Sequence, residues 1–306
     1  MTALVGLDVG TTGVKALAIS PDGEVLARAE EEYPLATPQP GWAEQDPEDW
    51  WRAAESALAD LAVPDLTGFG LSGQMHGLVV LDGEERVLRP AILWNDQRTA
   101  VECAELEERV GLTRLVELTG NRALPGFTAP KLLWLRKHEP NVYERIEHVL
   151  LPKDYVRLRL TGERATDVAD ASGTLLFDVA ERRWSEQIVE ELELPLGILP
   201  RVLESPDVSA ERGGIPVAAG AGDQAAGAVG VGVVGPGPLS VVLGTSGVVF
   251  AGLDRFAADP EARVHSFCHA VPGGWHAMGV MLSAAGSLRW FRDVFVRGEP
   301  YDTLAA

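Results

Sequence analysis

The sequence predicts an α/β protein with a mixed sheet flanked by helices, duplicated, with the second copy incomplete. Three observations lead there. Short apolar runs alternate with turn signals over the first thirty or so residues, a strongly signalled helix follows them, and a strand-turn-strand pattern from the N-terminus returns late in the chain. Short strands mixed with amphipathic helices mark a layered α/β domain, and recurrence of a whole supersecondary unit marks duplication.

The first hairpin lies in "LVGLDVGTTGVKALAIS". Residues 4–7 and 14–19 are short runs rich in β-branched side chains, which reads as two buried strands. Gly10 and Gly13 permit the tight turn between them. Thr11 and Thr12 add hydroxyl donors beside the exposed amides of that turn, a concave cluster that suits a phosphate. The Walker A spacing is absent, and an ordinary glycine-containing hairpin fits the same residues. "SPDGEVLAR" is a Pro-Asp-Gly turn into a third strand. "EQDPEDWWRAAESALADL" then signals a helix: Asp46 at the N-cap, Pro47 at the first helical position, acids in the first turn.

"GFGLSGQMHGLVVLDGEERVLRPAILWNDQRT" alternates short strands with turns, and "RTAVECAELEERVG" reads as a helix stopped by Gly111. Residues 128–160 carry a helical pattern broken at Pro130, Pro140 and Pro152. In "GIPVAAGAGDQAAGAVGVGVVGPG" a strand over 215–219 meets a Gly-rich turn and a small-residue helix that opens at Asp223. The Gly-Pro-Gly at 235–237 closes that helix and marks the boundary between a domain over 1–235 and the beginning of another over 236–306.

The later segment "LSVVLGTSGVVFAGL" repeats the first hairpin, with Gly10 falling on Gly244, Thr11 on Thr245, Thr12 on Ser246 and Gly13 on Gly247. Two hydroxyl-bearing turns facing each other would hold a polyphosphate from both sides, although two glycine turns also resemble each other by chance. Asp8 has no acidic counterpart, since Val242 holds its place in the second copy. An acid beside only one of the two turns suits a Mg²⁺ contact.

Composition narrows the classes. Hydrophobic residues make up 46% and charged residues 23% of 306 residues, the profile of a soluble globular protein of two domains or one large one. A net charge of −19 argues against a nucleic-acid or anionic-membrane partner, while Mg²⁺ and a few donors can still neutralise one nucleotide locally. No apolar run is long enough for a bilayer and no signal-peptide pattern opens the chain. Two cysteines, Cys103 and Cys268, point to a reducing cytoplasm. Lysine is scarce: Lys15, Lys131, Lys137 and Lys153.

The segments "GLDVGTTGVK", "LSGQMHGLVVLD", "ILWNDQRT", "GFTAPKLLWLRKH", "PKDYVRLRLTGE", "GAGDQAAGAVG", "LGTSGVVFA" and "FCHAVPGGWHAMGVMLSAAGSLRW" span the chain in order and together resemble the sugar kinases of the FGGY type. The stretch 126–138, with Lys131 and Trp134 in register, is similar to the signature of that family. The resemblance implies an actin-like ATPase (ribonuclease H-like) fold. It also implies ATP-dependent phosphorylation of a sugar's terminal hydroxyl, with ATP and Mg²⁺ and no structural metal. The Met75-His76 pair in "SGQMHG" tilts the expected substrate to D-xylulose, giving D-xylulose 5-phosphate, over ribulose, glycerol or gluconate. It implies Asp223 as catalytic base; Met75, His76, Trp94, Asp223 and Gln224 at the sugar; Asp8 at Mg²⁺; and Asp8, Gly10, Thr11, Thr12, Lys15, Gly244, Thr245 and Ser246 around the phosphates.

Read from the residues alone, several of these positions have a second explanation. Asp223 also suits a helix cap, and a helix N-terminus would keep it ionised. An Asp with a reference pKa of about 3.9 is a weak base, which suffices if the proton leaves as the new bond to phosphorus forms. His76 also suits a core histidine, and Met75 a core side chain. Trp94, Asn95, Asp96 and Arg98 suit a sugar-facing patch or a strand end followed by a helix cap. Lys153 and Asp154 read as a surface pair. His265, Cys268, His269 and His276 match no zinc-finger spacing. The resemblance further implies that the family continues beyond residue 306, so impaired ATP binding and a sugar-binding-only chain stand as the alternative. Exposed apolar surface and pairing into a homodimer are then expected. An actin- or chaperone-like ATPase with no sugar substrate is the third reading.

Overall fold

The computed structural model describes residues 2–63 and 65–304. The opening meander forms as expected: β1 (Ala3–Val9), β2 (Gly13–Ile19) and β3 (Val25–Glu32) pair antiparallel in sequence order. β1 and β2 bury alternate side chains, so they are half-buried strands and not the fully buried pair their apolar runs suggest. β4 (Leu66–Gly73) lies parallel to β1 on its other side. β5 (Val208–Arg212), β6 (Ile215–Ala218) and β7 (Ala221–Gly222) complete a seven-stranded sheet of order β5-β6-β4-β1-β2-β3, with β7 also on β4.

The helix α1 (Pro47–Leu61) starts as the sequence dictates: the Asp46 carboxylate accepts the Glu48 amide and Pro47 opens the first turn. Its Trp50, Ala54 and Ala57 are fully buried against the face of the sheet that carries Val5, Leu7, Val14 and Ala16. α2 (Ala100–Val110) stops at Gly111, whose amide returns to the Glu107 carbonyl. The proline-broken stretch resolves into α3 (Thr128–His138), a single turn over Pro140–Tyr143, a strand over His148–Leu150 and α4 (Pro152–Thr161). The strand is unexpected; it pairs with Val79–Leu81, a long-range partner that helical periodicity cannot reveal.

α5 runs over Asp223–Gly230 and ends before the Gly-Pro-Gly. A second sheet follows, β8 (Leu239–Leu243), β9 (Gly247–Leu253), β10 (His265–Cys268) and β11 (Trp275–Met281), antiparallel in the order β8-β9-β11-β10, then α6 (Ala285–Phe295). Phe250, Phe267 and Met278 of this sheet share one apolar core with Leu106, Phe127 and Leu132 around α2 and α3. That shared core fixes the second hairpin relative to the ends of β4 and β7.

Candidate active site

Three parallel strands, β1, β4 and β7, end at the same level: Val9 stands opposite Gly73, and Gly73 opposite Gly222. The carboxyl ends of parallel strands are where α/β sheets place ligands, because the chain departs there in loops. Asp8 and the first turn leave β1, Gln74 to His76 leave β4, and Asp223 leaves β7. The ends approach closely because they lack side chains. A Cβ on Gly73 would lie 3.0 Å from the Val9 carbonyl, and one on Gly222 would lie 2.6 Å from Met75 Cγ.

The first turn is pinned from within. The Gly10 carbonyl accepts from Tyr33 Oη at 2.5 Å and from Gln74 Nε2 at 3.2 Å. The Thr11 carbonyl accepts from Gln45 Nε2 at 2.7 Å, and the Thr12 carbonyl from the Tyr33 amide at 3.3 Å. Across a trans peptide the carbonyl and the next N–H point opposite ways. Holding the Gly10 and Thr11 carbonyls on protein donors leaves the amides of Thr11 and Thr12 on the other side of their peptides, donors of the kind a phosphate needs. The Thr11 hydroxyl is engaged differently: it accepts from Trp94 Nε1 at 2.9 Å and donates to Gln74 Oε1 at 3.3 Å. It orients Trp94. Lys15 stands across from Asp8 in the β1–β2 register, exposed, with its ammonium 3.6 Å from Glu30.

A cavity of about 190 Å³ brings Thr11, Met75, His76 and Trp94 together with Asp223 and Gln224. Ser246 of the second hairpin, with Val248, Met278 and Val280, forms its other wall. Gly244 and Thr245 form the exposed tip of that hairpin, closed by the Gly244 amide on the Ser246 carbonyl at 2.9 Å. An adjoining, more apolar cavity of about 330 Å³ shares His76, Trp94, Met278 and Val280 with it.

Asp223 is not the cap of its helix; Gly222 is, and Asp223 is the first helical residue. Nor is it held in the ordinary carboxylate range by its position there. Burial, and then the negative charge of Asp8, push its carboxyl up to about 7, outweighing the amide and side chain of Gln224. Asp8 accepts from Ser72 Oγ at 2.9 Å. His76 is half-buried; its Nδ1 lies 2.8 Å from the Gly173 carbonyl. A carbonyl can only accept, so Nδ1 carries the proton and Nε2 presents its lone pair. Burial, Lys131 and His265 lower its pKa to about 3, so the ring is neutral. Met75 is buried.

Of the polar patch, only Trp94 reaches the cavity with its ring. Asp96 is fully buried, accepting from the Ala43 amide and from Arg98, whose guanidinium lies 3.6 Å from the Trp42 ring centroid. Lys153 and Asp154 are no surface pair. Both are fully buried with Arg157, Asp167 and Asp170, the Lys153 ammonium lying 2.6 Å from Asp154, 2.6 Å from Asp167 and 3.1 Å from Asp170. The neutralising acids come from another segment, which local sequence does not disclose. His265 Nδ1 donates to Asn121 Oδ1 at 2.7 Å, His269 Nε2 donates to the Val233 carbonyl at 2.9 Å, and the buried His276 stacks on Phe250. Sequence reading passed over Gln74, Gln45 and Gly173, which shape the site, and Met278 and Val280, which line it. The glutamine beside "MH" was the one visible signal.

The profile of the FGGY family of carbohydrate kinases, N-terminal domain, matches residues 3–230. The xylulose kinase of Escherichia coli strain K12 is 49% identical over 94% of this chain and 62% of that protein. The xylulose kinase of Lactococcus lactis strain IL1403 is 42% identical over 99% of this chain and 64% of that protein. The crystal structure of a xyloylose kinase from Brucella ovis superposes with a TM-score of 0.93 at 45% identity, covering 98% of this chain and 64% of that one. The chain thus spans a little under two thirds of the length of these relatives, and it belongs to the FGGY family of carbohydrate kinases.

Proposed function

We propose that this chain takes part in ATP-dependent phosphorylation of D-xylulose to D-xylulose 5-phosphate. The observation that carries the reading is the single cavity in which Asp223 meets His76, Trp94 and both hydroxyl-bearing turns. The xylulose kinases it resembles support the choice of sugar, and the ATP-using sugar-kinase family supports the nucleotide.

In this proposal the ketose lies against Trp94 and Met75 and donates a hydroxyl hydrogen bond to His76 Nε2. Asp223 takes the proton of the attacking hydroxyl. A carboxyl near 7 is matched to that task, because a base works best with a pKa close to the working pH. The first turn, through Gly10, Thr11 and Thr12, with Gly244, Thr245 and Ser246 from the second, would align the phosphates. Phosphoryl transfer depends mainly on such alignment and on charge neutralisation. MgATP supplies the phosphoryl group and a countercharge. Asp8 fits the Mg²⁺, which is commonly held by one or two carboxylates with phosphate and water. Its closeness to Asp223 places two acids where a cation would relieve their repulsion.

The same proposal puts the chain in a reducing cytoplasm, supported by two buried free cysteines. No helix among the described residues is long and apolar enough to cross a membrane. Pairing of two copies through exposed Leu243, Met281, Trp290 and Phe295 belongs to it as well, and sedimentation velocity reads that directly. We further assign 1–235 to sugar binding and 236–306 to the start of the nucleotide side.

A coupled assay of D-xylulose with MgATP tests the function. The expected result is turnover that Asp223→Ala lowers by about 10²–10⁴-fold. No turnover alongside retained ketose binding would reduce the chain's role to sugar binding. ATP hydrolysis indifferent to every sugar would overturn the sugar site.

A further inference from the structure

Lys131 is fully buried, and its ammonium donates to two neutral carbonyls, His76 O at 2.9 Å and Gly126 O at 2.7 Å. Asp96, the acid whose charge reaches it, is engaged by Ala43 and Arg98. A buried ammonium without a bound carboxylate is costly, and burial pulls Lys131 down to about 7. Packing alone would be served better by a methionine or leucine, so the charge calls for another explanation.

The two carbonyls belong to residues on either side of the cavity boundary: His76 lines the sugar cavity and the adjoining one, Gly126 only the adjoining one. His76 has φ +66°, a left-handed conformation that a side-chain-bearing residue keeps only when its surroundings hold it. Its carbonyl receives Lys131 and also Thr128 Oγ1 at 3.1 Å, one turn earlier on the same face of α3. Its ring packs so closely over Gly173 that a Cβ there would lie 2.2 Å from the imidazole. Gly126 lies under Trp94, where a Cβ would come 2.7 Å from the Trp94 carbonyl.

We propose that Lys131 is a positioning residue for ketose binding: a buried clamp that holds His76 in its left-handed conformation and sets its distance from the Trp94 wall. The proposal rests on the sugar site described above and deepens it. Lys131 touches no substrate. It acts through the direction in which His76 Nε2 points.

The test compares the wild-type chain with Lys131→Met and Thr128→Val by calorimetry with D-xylulose, ¹⁵N NMR of the His76 ring and thermal melting. Lys131→Met should weaken ketose binding by about tenfold or more and Thr128→Val by about threefold. In both, the ¹⁵N signals should move from the Nδ1–H pattern toward a mixture of tautomers. On a His76→Ala background Lys131→Met should add less than about twofold, because the two act as one unit. A lower melting temperature with ketose affinity and the ¹⁵N pattern unchanged would overturn the clamp. If Lys131→Met does not fold, Thr128→Val carries the same comparison. Should the wild-type chain bind no ketose, the functional reading fails, while the ¹⁵N pattern alone still decides whether Lys131 holds His76.

Discussion

The two hairpins share a sequence pattern but not a setting. The first turn is tied by Tyr33, Gln45, Gln74 and Trp94, and its strand β1 is flanked on both sides in a seven-stranded sheet. Both turns close on themselves, the first through the Gly10 amide on the Gly13 carbonyl and the second through Gly244 on Ser246. The second is otherwise held by backbone alone, its Gly244 and Thr245 carbonyls accepting the amides of Ala284, Ala285 and Gly286 at the start of α6. Its strand β8 is an edge strand with Leu239, Val241 and Leu243 exposed. A repeat in sequence therefore specifies a strand-turn-strand unit, and the surroundings decide what the turn can do. In the first, the side chains of Tyr33, Gln45 and Gln74, from three other segments, hold the turn's carbonyls.

The largest difference should appear in the glycines. A Cβ on Gly13 would lie 2.6 Å from the Glu31 carbonyl, which is backbone and cannot swing aside, whereas one on Gly247 meets Ala284 Cβ at 3.1 Å. Gly13→Ala should cost about 2–4 kcal/mol in chemical denaturation and Gly247→Ala under about 1 kcal/mol. Equal costs would show that the two turns are held alike.

Next in size is the Thr11–Trp94 tie. Trp94→Phe keeps an aromatic ring and removes the donor to Thr11, so ketose affinity measured by calorimetry should fall by about 1 kcal/mol. Thr11→Val should do the same, and the double variant should lose no more than either, since one hydrogen bond is being removed. Additive losses would separate the first turn from the sugar wall. Ser246→Ala should have the smallest effect, raising the KM for MgATP about threefold with ketose affinity unchanged. A loss confined to the ketose would move Ser246 to the sugar side.

Much of this was legible in the chain. Asp46-Pro47 and Gly111 punctuate helices in agreement with their local chemistry, and the glycine turns announce both hairpins. Asp223 stands out because a Gly-rich turn precedes it. What stayed hidden depends on partners distant in sequence. Lys153 and Asp154 look like a surface pair until Asp167 and Asp170 are folded onto them. The strand over His148–Leu150 exists because Val79–Leu81 pairs with it. The tuning of Asp223 is hidden for the same reason: a helix N-terminus argues for a low pKa, and only the fold brings Asp8 and a buried setting to oppose it.

That tuning is what fits Asp223, in the cavity that carries the functional reading, to act as the base, and a ¹³C NMR titration of the Asp223 side-chain carboxyl, assigned by its loss in Asp223→Asn, measures it without requiring turnover. The midpoint should fall near 7 in the wild-type chain and shift downward in Asp8→Asn, because removing a neighbouring negative charge eases ionisation. A wild-type midpoint near 4, unmoved by Asp8→Asn, would contradict the account.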